Sequence, residues 1–287
     1  MSLQRWWAAL SLALLVLLPS CAGSAPAPQP APEAPKEVRL YALDCGRAEI
    51  PDMAAFGDEG GPRELVAACY VIRHPGGTLL WDTGISDANA RTKGGVLHAR
   101  TGIRFRVDTP LREQLRALQL EPADVQYVAF SHLHVDHAGN ANLFPASTWI
   151  LSRRELEWAT ATPAPPTVEP ELISAYRTAK LRLLDGEADV FGDGTVRIVP
   201  SPGHTPGHQS LVVRLRRAGT IVISGDLCHT HANCANHRVP PFNTDREESI
   251  RSMERILALA NATHARFVVQ HEPDALAAFP RFPAFLD

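Results

Sequence analysis

Residues 131–140 read Ser-His-Leu-His-Val-Asp-His-Ala-Gly-Asn, and this stretch restricts the fold more than any other part of the chain. His132, His134, Asp136 and His137 bring four metal-ligating side chains into six positions, directly after the apolar run 125–130. Such a run, short, apolar and aromatic-containing, is the pattern of a buried strand. A strand end holds side chains in fixed directions while leaving them open to solvent. His132 and His134 are two apart in extended chain, project to one side, and can grip one ion. Asp136 and His137 follow as the chain turns and can face a second ion beside it. Imidazole and carboxylate donors together suit zinc or another first-row divalent metal. A solvated loop has no need of three histidines and an aspartate at this spacing, so the stretch reads as a metal site.

The rest of the chain can supply a scaffold for it. Its 287 residues are 45% hydrophobic and 21% charged, enough for an ample core. Formal net charge is −3 and no basic run interleaves with aromatics, which argues against a nucleic-acid partner. At the N-terminus one Arg precedes an almost wholly apolar run over 6–18, then Leu18-Pro19-Ser20-Cys21. That run is too short to span a membrane and has the layout of a secretory signal, over residues 1–20. Its ending resembles the lipobox of bacterial lipoproteins, with Pro19 a departure from the usual pattern. The resemblance implies a lipidated Cys21 and a membrane attachment through lipid alone, the alternative being plain cleavage and release. Ala22, where inner-membrane retention is associated with Asp, favours the outer membrane; either route exports the protein to the periplasm or cell surface. Residues 21–35, rich in Pro and Ala, read as a tether, leaving 36–287 as the folded domain. Cys45, Cys69, Cys228 and Cys234 allow three full pairings in an oxidising compartment. Cys228–Cys234 is the most local of these, and isolated thiols are an equal alternative.

Strands are expected over 38–43, 65–73 and 78–81, the last two joined by a turn at His74-Pro75-Gly76-Gly77. Thr109 as N-cap and Pro110 in the first turn open a helix with Leu111, Leu115 and Leu118 on one face. After the metal stretch come a strand over 148–151 and helices over 153–159 and 171–180. Strands over 181–184 and 196–200 precede a hairpin of 210–214 with 220–224, a helix over 245–260 and a last strand over 267–270. Strands ahead of helices, twice over, predict an α+β chain in which two sheets pack together with helices outside.

Three further stretches place a ligand type at a strand end. Residues 201–208, Ser-Pro-Gly-His-Thr-Pro-Gly-His, hold His204 and His208 in a turn flexible enough to aim one of them. Asp226 closes the run 222–226, and His271 closes 268–271. With H-x-H-x-D-H these complete two coordination shells, and the whole from Val38 onward resembles the metallo-β-lactamase superfamily. The resemblance implies a four-layer αβ/βα sandwich holding two divalent ions, zinc first, with cobalt, iron or manganese as alternatives. It assigns His132, His134 and His208 to one ion, Asp136, His137 and His271 to the other, and Asp226 to both. His204 is left to support the ligands from behind or to play a structural part. Asp82 is a candidate for orienting a metal-bound His through its other ring nitrogen, a turn-capping carboxylate being an equal alternative.

Residues 43–46, 74–84, 154–159 and 207–211 are similar to the N-acyl-homoserine lactonases. That branch implies a hydrolase that opens a small-molecule lactone ring, quenching quorum signals by attack of a hydroxide made on the metal pair. Asp136 would relay the proton to the leaving oxygen. These lactonases often carry Tyr three residues after the shared Asp; here His229 stands there, able to donate a hydrogen bond to the developing oxyanion. Met53 and Phe56 are candidates for lining an acyl channel. Another hydrolase on the same site, a phosphotriesterase or a general lactonase or esterase, is the alternative. A β-lactamase fits less well because those enzymes lack the shared Asp, and a binding protein that had lost catalysis would be expected to have lost ligands.

Overall fold

Burial on both faces explains why the long strands read as near-continuous apolar runs. In β2 (Arg63–His74), Tyr70 and Ile72 enter one core while Cys69 and Val71 enter another. β1 (Arg39–Ile50) divides in the same way, Leu40 and Ala42 against Tyr41 and Leu43. The computed structural model describes residues 37–287; the signal peptide over 1–20, the tether over 21–35 and Cys21 lie outside the described residues. Among the described residues no helix is long and apolar enough to cross a membrane.

The first sheet also contains β3 (Gly77–Trp81), β4 (Val96–Leu97), β5 (Arg104–Arg106), β6 (Tyr127–Ala129), β7 (Thr148–Ser152) and β8 (Lys180–Leu184). Its order is β4-β5-β1-β2-β3-β6-β7-β8, antiparallel through β3 and parallel from β3 to β8. β9 (Ala188–Asp189), β10 (Val196–Pro200), β11 (Gln209–Leu215), β12 (Gly219–Ile223) and β13 (Arg266–Val268) form the second, in the order β13-β12-β11-β10-β9. Ile72, Leu79 and Trp81 of one sheet meet Ile198, Leu211 and Ile223 of the other in the central core.

Helices cover the outer faces. α1 (Leu111–Ala117) and α3 (Arg153–Ala159) bury Leu111, Leu115 and Leu156 against the first sheet, the short α2 (Val135–Ala138) lying between them in sequence. α4 (His231–Asn236) precedes α5 (Arg246–Ala262), which buries Met253, Ile256 and Ala260 against Val212 and Val222 of the second sheet; α6 (Asp274–Ala277) follows β13. The result is the four-layer αβ/βα sandwich.

Local departures have local causes. No α-helix forms over 171–180, where a single turn, Ser174–Arg177, leads into β8. Asn142 takes the backbone groups that a helix would use internally, accepting from Ala175 N (2.8 Å) and donating to Glu171 O (2.6 Å). α1 is capped by Asp87 rather than Thr109, the Asp87 carboxylate accepting from Leu111 N (2.8 Å) and Arg112 N (3.3 Å). β1 continues to Ile50 through a bulge between Asp44 and Arg47, beyond the strand expected over 38–43. The cysteines pair as Cys45–Cys69, across β1 and β2, and as Cys228–Cys234.

Candidate metal centre

Parallel pairing brings the ends of different strands to one edge of the sandwich. Trp81 of β3 pairs with Ala129 of β6, and Ile223 of β12 with Val268 of β13. Asp82, Ser131, Asp226 and His271 follow these ends and converge, joined by the β10–β11 turn. Gathered there are two groups of ligand atoms, His132, His134, His204 and Asp226 in one, and the half-buried Asp136 with His137 and His271 in the other. Asp226 serves both groups. One carboxylate oxygen lies 3.0 Å from His137 Nε2 and 2.9 Å from His271 Nε2. The other lies 3.3 Å from His204 Nε2 and 3.6 Å from His132 Nε2.

His204 and His208 exchange the parts that the sequence reading gave them. His208 has both ring nitrogens committed, Nδ1 donating to Ser201 O (2.9 Å) and Nε2 accepting from Asp226 N (2.8 Å). No lone pair is left for an ion, so His208 positions the Asp226 backbone instead. Gly225 makes this approach possible, because a Cβ there would come within 2.6 Å of His208 Nε2. His204 has Nδ1 3.0 Å from Asn243 Oδ1 and points Nε2 at His134 Nδ1, 3.1 Å away. Nothing in residues 201–208 distinguishes the two histidines; the distinction comes from Asn243, in a distant loop.

The other rings are held from behind in the same manner. Asp82 lies 2.9 Å from His137 Nδ1 and accepts from Ser131 N (2.6 Å), Ser131 Oγ (2.8 Å) and Gln270 Nε2 (2.8 Å). Ser131 Oγ lies 3.0 Å from His132 Nδ1, and His271 Nδ1 donates to Val66 O (2.6 Å). Such partners fix the tautomer and the aim of a ligating ring. Asp82 adopts φ 56°, a left-handed conformation costly for a residue with a side chain, at the position where its carboxylate reaches these donors.

Glu155 was not singled out by its sequence position, yet its buried carboxylate cross-braces two ligand loops. It accepts from Leu133 N (2.9 Å), between His132 and His134, and from Thr205 Oγ1 (2.6 Å) and Gly207 N (3.1 Å) beside His204. Burial pushes Glu155 up to about 7 despite these donors.

The protonation pattern suits cations. Burial pushes His134 down to about 4 and His132 and His204 well below the ordinary value, leaving neutral rings with available lone pairs. Burial also opposes charge on His137 and His271, but the Asp226 and Asp136 carboxylates beside them raise both. His132 Nε2 and Asp226 Oδ1 are buried with no hydrogen-bond partner. Buried polar atoms are rarely left so, and divalent ions between the groups would satisfy both. The residues fit a two-metal site.

An apolar cleft of about 340 Å³ opens onto this floor. Ile50, Phe56, Leu65, Ile103, Phe105 and Phe242 wall it, with His134, Asp136, His204, Asp226, His229 and His271 at its base. No Lys or Arg is among its lining residues. Phe56 lines the cleft; Met53 is instead packed with Ile50 and Leu65 in a small core beneath it. His229 Nε2 lies 3.1 Å from Asp226 Oδ2, with the His229 ring parallel to that of His271.

Residues 62–271 match the family model described as the metallo-beta-lactamase superfamily. The N-acyl homoserine lactonase AttM of Azorhizobium caulinodans is 33% identical over 263 residues, spanning 88% of this chain and 99% of the relative. AttM of Agrobacterium fabrum is 30% identical over 267 residues, spanning 87% and 98%. Among solved structures, an N-acyl homoserine lactone hydrolase with N-hexanoyl-L-homoserine at its catalytic metal centre superposes with a TM-score of 0.76 at 24% identity, covering 86% of this chain and 98% of that one. The dizinc quorum-quenching lactonase AidC gives 0.63 at 18% identity, covering 87% and 90%.

Proposed function

The chain belongs to the metallo-β-lactamase superfamily, and from that membership we propose that it opens the ring of N-acyl-homoserine lactones. One observation carries this reading: two ligand groups sharing Asp226 form the polar floor of an apolar cleft, in a chain aligned with nearly the full length of named lactonases. His132, His134 and His204 would hold one ion, Asp136, His137 and His271 the other, with Asp226 between them. Nitrogen and oxygen donors in these numbers suit zinc. Two such ions would supply Lewis acidity and an acidified water.

The chain's own residues do the rest. Water adds to the lactone carbonyl carbon, the ring C–O bond breaks, and the proton that the water loses must reach the leaving alkoxide. Asp136 is half-buried at the cleft base and so placed to carry that proton. His229 donates a hydrogen bond to the oxygen on which negative charge develops, the part often taken by Tyr in similar lactonases. The apolar walls accept the acyl chain, and a neutral ester suits a cleft without cations better than a β-lactam, which carries a carboxylate. Neutral phosphotriesters and simple esters meet the same criterion and form the second reading.

The test uses the chain from Lys36, loaded with zinc or cobalt, on short- and long-chain acyl-homoserine lactones. Turnover at a kcat/KM of about 10⁴ M⁻¹s⁻¹ or more, lost in His132→Ala, supports the reading. No turnover with two ions bound overturns it and moves the second reading forward. Export and lipid attachment through Cys21 are part of the same proposal. Cys21→Ser should release the protein from the membrane fraction of its host.

A further inference from the structure

His229 differs from four of the five proposed metal-holding histidines in one respect. The Nδ1 atoms of His132, His137, His204 and His271 each have a partner behind them, whereas His229 Nδ1 is buried with none. Hydrogen bonding to the outer nitrogen is the usual means of aiming an active-site imidazole. Its inner nitrogen, Nε2, faces Asp226 Oδ2 at 3.1 Å, and the rest of its surroundings are rings, Phe56 at 5.0 Å, His204 at 5.1 Å, Phe242 at 5.7 Å and His271 at 5.8 Å between centroids. Ring contacts limit tilt but do not set the position of the backbone that carries the side chain.

That backbone is fixed by the residue immediately before it. Cys228 is bonded to Cys234 within α4, closing a loop whose interior contains His229 and Thr230. α4 is itself anchored. Thr230 accepts from Asn233 N (3.0 Å) and donates to Asp58 Oδ2 (2.6 Å), and Asn233 Nδ2 donates to Phe56 O (3.2 Å). His231 N donates to Glu272 Oε1 (2.9 Å), the residue after His271. The disulfide thus joins the end of the Asp226 strand to a helix pinned to the Phe56 turn and to the His271 loop.

We infer that the Cys228–Cys234 disulfide is a positioning element for His229, holding by covalent connection a ring whose outer nitrogen no hydrogen bond aims. The inference rests on the role proposed for His229 at the metal centre. The other disulfide, Cys45–Cys69, joins two adjacent paired strands and provides an internal control.

The experiment is a coupling cycle in the chain from Lys36. This part has its own cores, and relatives align to it over nearly their whole length. Cys228→Ser/Cys234→Ser is made alone and combined with His229→Ala, with metal content and melting temperature recorded for each form. The expected result is a roughly tenfold fall in kcat/KM with two ions retained, shrinking to less than about twofold when His229 is already Ala. An equal loss in both backgrounds, or none in either, overturns the inference. Cys45→Ser/Cys69→Ser should lower the melting temperature while its kinetic effect stays independent of His229.

A second readout keeps the inference separate from the choice of substrate. In the metal-free protein the His229 ring proton resonance, assigned by its loss in His229→Ala, should broaden or shift when the Cys228–Cys234 bond is removed or reduced by a phosphine. An unchanged resonance overturns the inference even if lactones are substrates. A changed resonance without lactone turnover supports it while the lactonase reading fails.

Discussion

The floor of the cleft and its walls are built in opposite ways. On the floor, side chains from separated segments converge, and the outer nitrogens of His132, His137, His204 and His271 each have a partner directed at them. On the walls, Phe56, Ile103, Phe105 and Phe242 come from connections and short edge elements and meet through surface contact alone. The floor demands close control of distance, and hydrogen bonds supply that precision. The walls demand only apolar volume, which many side chains can provide. His229 lies between the two regimes, a polar ring mounted among wall residues.

Built in this way, the floor should fail abruptly and the walls gradually. Asp226→Asn should have the largest effect, because both ligand groups share that carboxylate. Metal analysis should find fewer than two ions per chain and turnover should vanish; an Asp226→Asn enzyme with both ions and ordinary turnover would show that Asp226 is not their common ligand.

His229→Ala should come next. Loss of one donor to a developing oxyanion costs about 10²-fold in kcat, here with both ions retained. Restoring a hydroxyl with His229→Tyr should recover most of the loss, and a His229→Ala enzyme with full kcat would place the donor elsewhere. Glu155→Gln follows. Its carboxylate accepts from both ligand loops, and an amide can match only some of those donors. Loss of a group that aims metal ligands typically costs about 10- to 100-fold in metal affinity, readable by competition with a chelator.

The same contrast governs what could be read from residues alone. Ligands grouped in one stretch were legible because H-x-H-x-D-H restricts chemistry and geometry together. Asp226 and His271 were legible because they end apolar strands. The choice between His204 and His208 was not, since both sit in one Gly/Pro-rich turn and the choice is made by Asn243 and by the Asp226 amide. Glu155 lies on an ordinary-looking amphipathic helix, where a glutamate is expected to face solvent. In the fold, the sheets and α5 followed from apolar runs and spacing. The segment 171–180 did not, because its backbone bonds to Asn142, in an earlier and separate element.

On the walls, Phe242→Ala should change selectivity more than rate. Phe242 is 43% exposed, so only part of the transfer energy of a phenyl ring is at stake, about 1 kcal/mol. A rise of about fivefold in KM for a long-chain lactone, with little change for a short-chain one, is the expected outcome. An equal rise for both would mean that Phe242 acts on the lactone ring rather than on the acyl chain.

The smallest expected effect separates floor from wall through protons. In the metal-free protein, burial holds His134 and His208 down at about 4, against an ordinary value of 6.5. Each then binds fewer protons folded than unfolded, so stability present above about pH 6.5 is lost as pH falls toward about 4. Glu155 acts in the other direction. Burial raises it from 4.5 to about 7, so its contribution declines as pH rises across that interval and recovers on acidification. His132 and His204, also held down by burial, add to the loss on acidification, while His137 and His271, raised by the carboxylates beside them, act with Glu155. Four groups against three should leave a melting temperature that falls between about pH 7 and pH 5. Glu155→Gln removes one of the opposing groups, and although it lowers stability overall it should steepen that fall. Phe242→Ala should leave the slope alone, because it removes no titrating group. A slope that changed with Phe242 but not with Glu155 would place the titrating groups against the wall and undo the division between the two regions.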